Sequence, residues 1–337
     1  MRYLVTGGAG FIGSHLVASL LRRGDEVVVL DDLSSGKQDN LGMVQDEVEG
    51  SSRRLHFVQG SILDREILRE VVDGVAAVFH QAAIPSVPRS FEDPASTLRV
   101  NIEGTAMLLE VGRQAGVGRV VMASSSSVYG DTPTLPKHEE MPLTPMSPYA
   151  MSKLALEQLA SMWSKQHGIE TVAFRYFNVF GPRQDPASAY AAVVPRFVTR
   201  MLEGKSPIIF GDGRHSRDFT YIDNAIAANL LGAGLDPSTV VGGAASKGAT
   251  AAAFGTAMNV GIGERYSLLD LVGTLNEILG TSITPVFEDP RPGDVRHSHA
   301  AIDRATELIG YRPVVSFRDG LERTVAWFAT HAAASRE

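Results

Sequence analysis

Two side chains with complementary chemistry, Tyr149 and Lys153, stand four residues apart in the stretch SPYAMSK, residues 147–153. At the start of a helix this spacing puts both on one face. An ammonium group beside a phenol favours the phenolate, which makes the tyrosine a candidate general base. The same spacing also occurs in exposed or half-buried pairs of no catalytic role, so the hypothesis depends on what lies nearby.

Hydroxyl groups follow an apolar run that reads as a strand. Residues 119–122 are mostly apolar and lead into SSSSVYG, residues 124–130. Ligands of open α/β sheets bind at the carboxyl ends of the strands, so the serines of this run are candidates to meet a ligand there. A serine cluster alone is also typical of a polar loop.

A glycine-rich turn opens the chain. A short apolar run, residues 3–6, precedes Gly7, Gly10 and Gly13 and then a helix-patterned segment. Such glycines allow a tight turn and let the N–H groups of a helix start approach a diphosphate. A second run ends at Asp31, 18 residues after Gly13, where a carboxylate can accept from an adenosine ribose hydroxyl. Asp31 and Asp32 would repel a 2′-phosphate, so the pattern predicts NAD rather than NADP.

The elements that must position these residues alternate along the chain. Apolar runs without polar alternation indicate buried parallel strands, and the segments between them carry helix-spaced apolar residues. The predicted strands are 3–6, 26–30, 55–59, 77–81, 119–124 and 171–176, and the predicted helices are 12–23, 64–72, 97–115 and 150–167. This order predicts an α/β fold, a Rossmann-type doubly wound parallel sheet.

The texture changes after residue 180. Proline and glycine become frequent and the strand-like runs are short, at 207–210, 257–260 and 284–287. We therefore predict an NAD-binding domain over residues 1–180, to which some later segments return, and a smaller α/β substrate lobe over residues 181–337. Residues 232–255 are rich in glycine, alanine, serine and threonine and are predicted to form a flexible excursion.

Composition narrows the class of protein. The 337 residues contain no cysteine, which excludes disulfides, thiolate metal sites and a cysteine nucleophile. A net charge of −7 argues against a nucleic-acid surface. No run of 18 apolar residues and no signal-like start are present, so we expect a cytoplasmic enzyme without a membrane span. No metal site is predicted.

Taken together, the glycine-rich turn, Asp31, the serine cluster and the Tyr-x-x-x-Lys pair resemble the extended short-chain dehydrogenase/reductase family, and within it the NAD-dependent nucleotide-sugar 4-epimerases. The resemblance runs from Met1 to about Tyr311. It implies that Ser125 binds the sugar 4-oxygen, with Ser126 as a second hydroxyl, that Tyr149 is the acid/base and that Lys153 binds the nicotinamide ribose. It implies NAD as a hydride shuttle and a transient 4-keto sugar.

The resemblance also assigns a cofactor site. Its expected members are Gly7, Gly10, Phe11, Ile12, Gly13, Asp31, Asp32, Ser35, Gly36, Ser61, Ile62, Gln81, Ala82, Ala83, Asn101, Tyr149, Lys153 and Tyr176. One departure stands out, because the family commonly has Asp-Ile after the third strand where this chain has Ser61-Ile62. A hydroxyl binds more weakly than a carboxylate, so we expect reduced cofactor affinity.

Three features favour one reaction within this family. No acidic residue precedes the Val-Tyr-Gly of residues 128–130, as it does in the related dehydratases and decarboxylases, which favours epimerisation. The segment RYFN, residues 175–178, differs from the Arg-Phe-Phe-Thr of glucuronate 4-epimerases. Residues 180–186 and 189–195 look like those of UDP-N-acetylglucosamine 4-epimerases. The implied substrate-binding residues are Ser125, Ser126, Tyr149, Asn178, Val193, Arg217, Arg291, Asp294 and Ser298.

Ser298 occupies the place where the family has its substrate-size gate. A small residue there leaves room for an N-acetyl group, so the resemblance implies UDP-GlcNAc and UDP-GalNAc as substrates, with UDP-Glc and UDP-Gal as additional ones. Two alternatives stay open, a UDP-glucuronate 4-epimerase and a non-catalytic NAD-binding sensor. The intact Tyr149 and Lys153 pair argues against the sensor.

Helices 97–115 and 150–167 correspond to those that form an intersubunit bundle in the family. Leu154, Leu159, Met162 and Trp163 offer an apolar face for it. The resemblance therefore implies a homodimer, with the alternative that this face only packs on the sheet.

Overall fold

The computed structural model describes residues 1–187, 192–242, 248–290 and 295–334. Its strands are β1 Arg2–Thr6, β2 Glu26–Asp31, β3 Leu55–Gln59, β4 Ala77–His80, β5 Arg119–Ser125, β6 Glu170–Tyr176, β7 Val179–Phe180, β8 Ile208–Phe210, β9 Ser216–Arg217, β10 Thr220–Tyr221, β11 Thr256–Val260, β12 Tyr266–Ser267 and β13 Val286–Glu288. Its helices are α1 Phe11–Arg22, α2 Gln38–Glu47, α3 Arg65–Val71, α4 Val87–Glu92, α5 Pro94–Leu98, α6 Thr105–Gln114, α7 Pro148–His167, α8 Val193–Leu202, α9 Ile222–Gly232, α10 Leu268–Leu279, α11 Asp303–Ile309 and α12 Phe317–Ala334.

Seven strands form one parallel sheet in the order β11-β6-β5-β4-β1-β2-β3. The predicted α/β class and Rossmann-type sheet are thus confirmed. The central strands are buried along nearly their whole length, as the lack of polar alternation predicted. Helices α1, α2 and α9 pack on one face, and α3, α6 and α7 pack on the other. The carboxyl ends of β1, β4 and β5 therefore meet at a single edge.

The predicted single helix over residues 97–115 is interrupted. A π-helical stretch, Arg99–Gly104, separates α5 from α6. Within it, the Asn101 side chain accepts from the N–H of Ile84 and donates to its carbonyl, which ties the stretch to the loop after β4. Gly104 lies so close to Ile62 that an added Cβ would come within 2.6 Å of its Cδ1 atom. The pattern of apolar residues carries neither constraint.

The strand expected at residues 257–260 belongs to the large sheet rather than to the smaller sheets of the C-terminal part. As β11 it pairs with β6, and Met258 lies opposite Phe174. The smaller sheets are two-stranded and join β7 to β10, β8 to β13 and β9 to β12. In the glycine- and alanine-rich excursion, Ala251–Ala253 forms a 3₁₀ turn, and residues 243–247 lie outside the described part.

No helix among the described residues is long and apolar enough to cross a membrane. Within the same residues, no cluster of three or more histidine, aspartate or glutamate side chains is arranged to hold a metal ion.

Candidate active site

The turn after β1 brings three backbone segments into close contact. Gly7 has a φ of 70°, and a Cβ on it would lie 2.6 Å from the backbone nitrogen of Ala82. Its carbonyl accepts from the N–H of Gly10, 3.1 Å away. Gly10 caps α1 without a side-chain hydrogen bond, so the first-turn N–H groups, from Phe11 onward, are left for a ligand. An exposed helix start of this kind fits the diphosphate of a dinucleotide.

Asp31 organises the loop beside this turn. The buried carboxylate accepts from the N–H groups of Ala9 and Leu33, both at 2.9 Å, and burial raises its pKa. A Cβ on Gly36 would lie 2.8 Å from both carboxylate oxygens, so only glycine allows the loop to approach this closely. A carboxylate has about four acceptor positions. Asp31 can therefore still accept a hydrogen bond from a ribose hydroxyl. Asp32 and Ser35, in the same loop, are exposed to solvent.

Ser61, which stands where the family commonly has an aspartate, lies just after β3. The Ser61 oxygen accepts from the N–H of Leu63 at 3.2 Å, so its own proton is available to a ligand. Ile62 is buried against Gly104. Ser61 is thus oriented as a donor, whereas a carboxylate at this position would accept.

The residues after β4 connect to a network that the sequence did not indicate. The Gln81 amide donates to the Tyr176 hydroxyl at 3.4 Å and to Asn229 at 3.2 Å, and Asn229 donates to the same hydroxyl at 2.7 Å. Burial raises the pKa of Tyr176 to about 12. Of the two residues that follow, Ala82 donates its N–H to Thr6 at 3.4 Å and Ala83 is half-buried. Gln81 and Tyr176 therefore form a neutral, hydrogen-bonded pair at the edge of the sheet where the cofactor is expected.

Tyr149 and Lys153 occupy the first turns of α7. Ser147 caps the helix by accepting from the N–H of Ala150 at 3.1 Å, and Pro148 fills the first helical position. The Lys153 ammonium donates to the carbonyl of Ala123 in β5 at 2.7 Å and lies 5.8 Å from the centroid of the Tyr149 ring. Burial lowers the pKa of Lys153 to about 8. Lys153 is therefore anchored to the strand that ends in the serine cluster, with Tyr149 beside it on the same helix.

Ser125 completes this group. Burial raises the pKa of Tyr149, and a hydrogen bond from the Ser125 side chain opposes that rise. The Ser125 oxygen also accepts from the N–H of Ser127 at 3.2 Å, which closes the 3₁₀ turn Ser126–Tyr129. Ser126 lies in that turn, half-buried. We call Ser125, Tyr149 and Lys153 the catalytic edge.

Asn101 reaches this edge from behind. Besides its two bonds to Ile84, its amide donates to the Ser152 hydroxyl at 2.9 Å, and the residue is 1% exposed. Its side chain thus joins the loop after β4 to the helix that carries Tyr149. The role expected from resemblance was direct contact with the cofactor, and the bonds seen are those of a positioning residue.

The predicted substrate residues Asn178, Val193 and Arg217 share one cavity of about 220 Å³. Asn178 is exposed with a φ of 29°, and Arg217 donates to the carbonyls of Ser216 and Arg296. We call this the nucleotide cavity; it is lined by Asn178, Val179, Phe180, Ala192, Val193, Val194, Arg196, Phe197, Ile208, Phe210, His215, Arg217, Phe219 and Leu268. Apolar walls with a few cations suit a base and a diphosphate. Arg291 and Asp294 lie outside the described residues.

Ser298 is buried in a segment clamped on both sides. Its N–H donates to the carbonyl of Ser216 at 2.9 Å. Further along, Lys137 donates its N–H to His299 and accepts from Ala301 through its carbonyl. We call residues 297–301 the gate segment. These bonds fix its backbone, and Ser298 is not among the residues that line the nucleotide cavity.

Two buried polar groups of this region were missed by the sequence reasoning. Asp218 accepts from the N–H groups of Ile262, Gly263 and Ala300, and burial raises its pKa to about 6. Glu157 and Arg175 form a buried ion pair at 2.8 Å. A charged residue inside an apolar strand, as Arg175 is, was the signal that could have indicated the second.

Known proteins of one family are similar to this chain. The model of the NAD dependent epimerase/dehydratase family matches residues 3–236. The chain belongs to this family. UDP-glucose 4-epimerase of Mycolicibacterium smegmatis is 38% identical over 330 residues, which is 97% of this chain and 98% of that protein.

Solved structures of nucleotide-sugar enzymes are similar to nearly the whole chain. UDP-N-acetylglucosamine 4-epimerase of Methanobrevibacter ruminantium, in complex with UDP-N-acetylmuramic acid, matches with a TM-score of 0.87 and 35% identity over 98% of each chain. UDP-glucuronic acid 4-epimerase of Bacillus cereus, with UDP-glucuronic acid and NAD, matches with a TM-score of 0.85 and 34% identity over 98% of this chain and 100% of that one. Relatives of similar identity also include dTDP-glucose 4,6-dehydratases. The chain is thus an NAD-dependent nucleotide-sugar epimerase or dehydratase, and NAD is its cofactor.

Proposed function

We propose that this enzyme is a UDP-hexose 4-epimerase that acts on UDP-GlcNAc and UDP-GalNAc and also accepts UDP-Glc and UDP-Gal. The observation that carries the proposal is the catalytic edge, where a phenol, a hydroxyl and an ammonium converge at the ends of β5 and α7. The small Ser298 in the gate segment supports the N-acetylated substrates.

The residues present fit NAD. The uncapped start of α1 suits the diphosphate, and Asp31 retains capacity for the ribose. When bound there, NAD would supply the acceptor for the hydride of sugar C4 and, once reduced, its donor. We further propose residues 1–180, with β11 returning to their sheet, as the NAD domain and the rest of residues 181–337 as the substrate lobe.

Tyr149 then acts on the proton of the sugar 4-hydroxyl. Burial alone keeps this phenol protonated, and the Ser125 hydrogen bond opposes that effect. The Lys153 ammonium, 5.8 Å from the ring, adds a favourable charge for the phenolate. Ser125 can hold the 4-oxygen in line with the phenol, so positioning and one tuned proton transfer carry the reaction.

The turn after β5 supports epimerisation over dehydration. Ser127 stands directly before Val128, and its buried hydroxyl has no hydrogen-bond partner among the described residues. Elimination of water needs a further acid or base here, but a neutral hydroxyl occupies the position. Glu157, which lies nearby, is neutralised by Arg175.

We also propose that the enzyme is a homodimer that uses the helices of residues 97–115 and 150–167, the second of which is α7, together with the adjacent α4. Of the four residues expected on this face, Met162 is 47% exposed, whereas Leu154, Leu159 and Trp163 are partly buried against the cores of the same chain. Met151 at 48% and Phe91 at 62% extend the apolar surface. Sedimentation of the wild type against Phe91→Glu tests this, with a monomeric wild type as the contradicting result.

The test of activity uses the purified enzyme with UDP-GlcNAc, UDP-Glc and UDP-GlcA in separate reactions, with each product identified by NMR. We expect UDP-GalNAc and UDP-Gal from the first two. Turnover of UDP-GlcA without UDP-GlcNAc would establish the glucuronate alternative, and a 4-keto-6-deoxy product would establish a dehydratase. Binding of NAD with no conversion of any sugar would favour the sensor.

A further inference from the structure

A buried polar network lies directly behind the catalytic edge. The Ser124 hydroxyl donates to Glu157 at 2.5 Å, and Arg175 donates to both Glu157 oxygens at 2.9 and 2.8 Å. The third bond of the guanidinium goes to the Tyr129 hydroxyl at 2.8 Å. Glu157 and Arg175 side chains are each only 5% exposed. The network thus touches both ends of the turn that follows Ser125.

The same network extends to the gate segment. The Tyr129 hydroxyl donates to Asn259 at 2.7 Å, and the amide of Asn259 donates to the carbonyls of Lys137 at 2.8 Å and Ala301 at 3.0 Å. Lys137 in turn bonds the gate segment through its backbone, and its buried ammonium donates to the carbonyl of Gly130 at 3.0 Å. One chain of hydrogen bonds therefore links Ser124, next to Ser125, to Ala301, three residues from Ser298.

Burial of the Glu157 and Arg175 charges costs free energy of hydration, which indicates that the network has a role beyond stability. A buried ion pair is often no more stabilising than apolar side chains of similar volume, because both charges lose their hydration. Its clearest use is to fix one geometry where several would otherwise pack equally well. Here the fork of Arg175 fixes α7, through Glu157, and the serine turn, through Tyr129, relative to β6.

We propose that Glu157, Arg175 and Tyr129 are positioning residues of the reaction, which hold the Ser125 turn against Tyr149 and tie it to the gate segment. This inference rests on the proposed function for its kinetic consequences, although its geometry does not. It makes the Ser125 turn, Tyr149 and the gate segment one hydrogen-bonded unit.

The test removes a single oxygen. Tyr129→Phe leaves the ring in place but deletes the bonds to Arg175 and Asn259. Tyr311→Phe is the matched control, because Tyr311 is equally buried and its hydroxyl donates to the carbonyl of Gly261 at 2.8 Å, outside the network. We expect Tyr129→Phe to lower kcat roughly ten-fold, with the KM for UDP-GlcNAc and the Kd for UDP within about two-fold of wild type. Tyr311→Phe should lower the Tm, but it should not lower kcat to the same extent as Tyr129→Phe does.

A second measurement needs no sugar. The Tyr149 phenolate is titrated by ultraviolet difference spectroscopy in the NAD complex and identified as the signal absent from Tyr149→Phe. The groups that face this phenol are Ser125 from β5 and Lys153 on α7; His80 from β4 is neutral, because burial and then the charge of Lys153 lower its pKa to about 3. A looser Ser125 turn should move the titration of Tyr129→Phe to higher pH, and Tyr311→Phe should titrate like wild type.

Arg175→Lys keeps a cation for Glu157 but cannot fork to Tyr129, so it should give an intermediate kcat, and adding Tyr129→Phe to it should cost little more. Identical phenolate titrations in Tyr129→Phe and Tyr311→Phe would overturn the positioning role. A wild type that converts no UDP-hexose would instead sink the proposed function, while the titration would still decide the positioning role.

Discussion

The catalytic edge and the nucleotide cavity are built in opposite ways. At the catalytic edge, Lys153 and the network behind it are buried, and Lys153, Glu157 and Arg175 each bond to identified partners. The nucleotide cavity has apolar walls, an exposed Asn178 and an arginine that donates to two backbone carbonyls. A proton transfer needs fixed geometry. Under the proposed epimerisation, the sugar must present both of its faces to one hydride site, so the nucleotide would be held and the sugar left free to turn.

The largest expected effect comes from removing the base. Tyr149→Phe should lower kcat by about 10³-fold, because a positioned general base contributes roughly 10²–10⁴. The Kd for UDP, measured by calorimetry, should stay unchanged because Tyr149 does not line the nucleotide cavity. Retention of most of the turnover would exclude the phenol as the base.

Lys153 should give turnover a limit on the basic side. The Lys153 ammonium, with a pKa lowered by burial to about 8, loses its proton as the pH rises through that value. We expect kcat to fall above about pH 8, and Lys153→Met to be roughly 100-fold slower without that limb. A limb that persists in Lys153→Met would assign it to another group.

The same shift has a consequence for folding, with the opposite sign. Because the pKa in the folded state lies below the ordinary 10.5, the unfolded chain binds more protons between about pH 8 and 10.5. Lys153 therefore opposes folding below pH 8, and this cost is relieved as the pH rises through the window. Urea denaturation of wild type and Lys153→Met across that range measures the difference.

The gate tests the substrate side of the comparison. Ser298→Tyr should depress turnover of UDP-GlcNAc by roughly ten-fold or more, with a much smaller effect on UDP-Glc. Ser298→Ala is the matched control, since it changes chemistry without adding size. Equal losses on both sugars would show that position 298 does not discriminate by volume.

The smallest effect concerns cofactor affinity. Ser61→Asp should tighten NAD binding by a few-fold, because a carboxylate makes a stronger hydrogen bond to the adenosine than a hydroxyl does. Fluorescence titration with NAD measures this. Unchanged or weaker binding would show that Ser61, oriented as a donor by Leu63, already suits its ligand.

Local patterns predicted much of this molecule. The order of strands, the glycine turn with Asp31, and the pair on α7 follow from periodicity and spacing, because such features involve neighbours in the chain. The position of Ser125 at a strand end also followed from the sheet, whereas its grouping with Tyr149 was implied by family resemblance. That Asn178, Val193 and Arg217 share a cavity was implied by family resemblance alone.

What could not be predicted depends on distant contacts. The return of β11 to the large sheet, the π-helical stretch around Asn101 and the link from Arg175 through Tyr129 to Asn259 each join segments far apart in sequence. The partner of a buried charge is set by packing, and a single sequence does not show it. Asp218 is such a case, because all of its N–H partners come from later segments.

The most direct measurement uses UDP-GlcNAc deuterated at C4. If hydride is removed from C4 and returned to the other face within one bound complex, UDP-GalNAc should form with the deuterium still at C4, and Tyr149→Phe should form almost none. Loss of the label to solvent, or formation of any product other than the 4-epimer, would contradict this account.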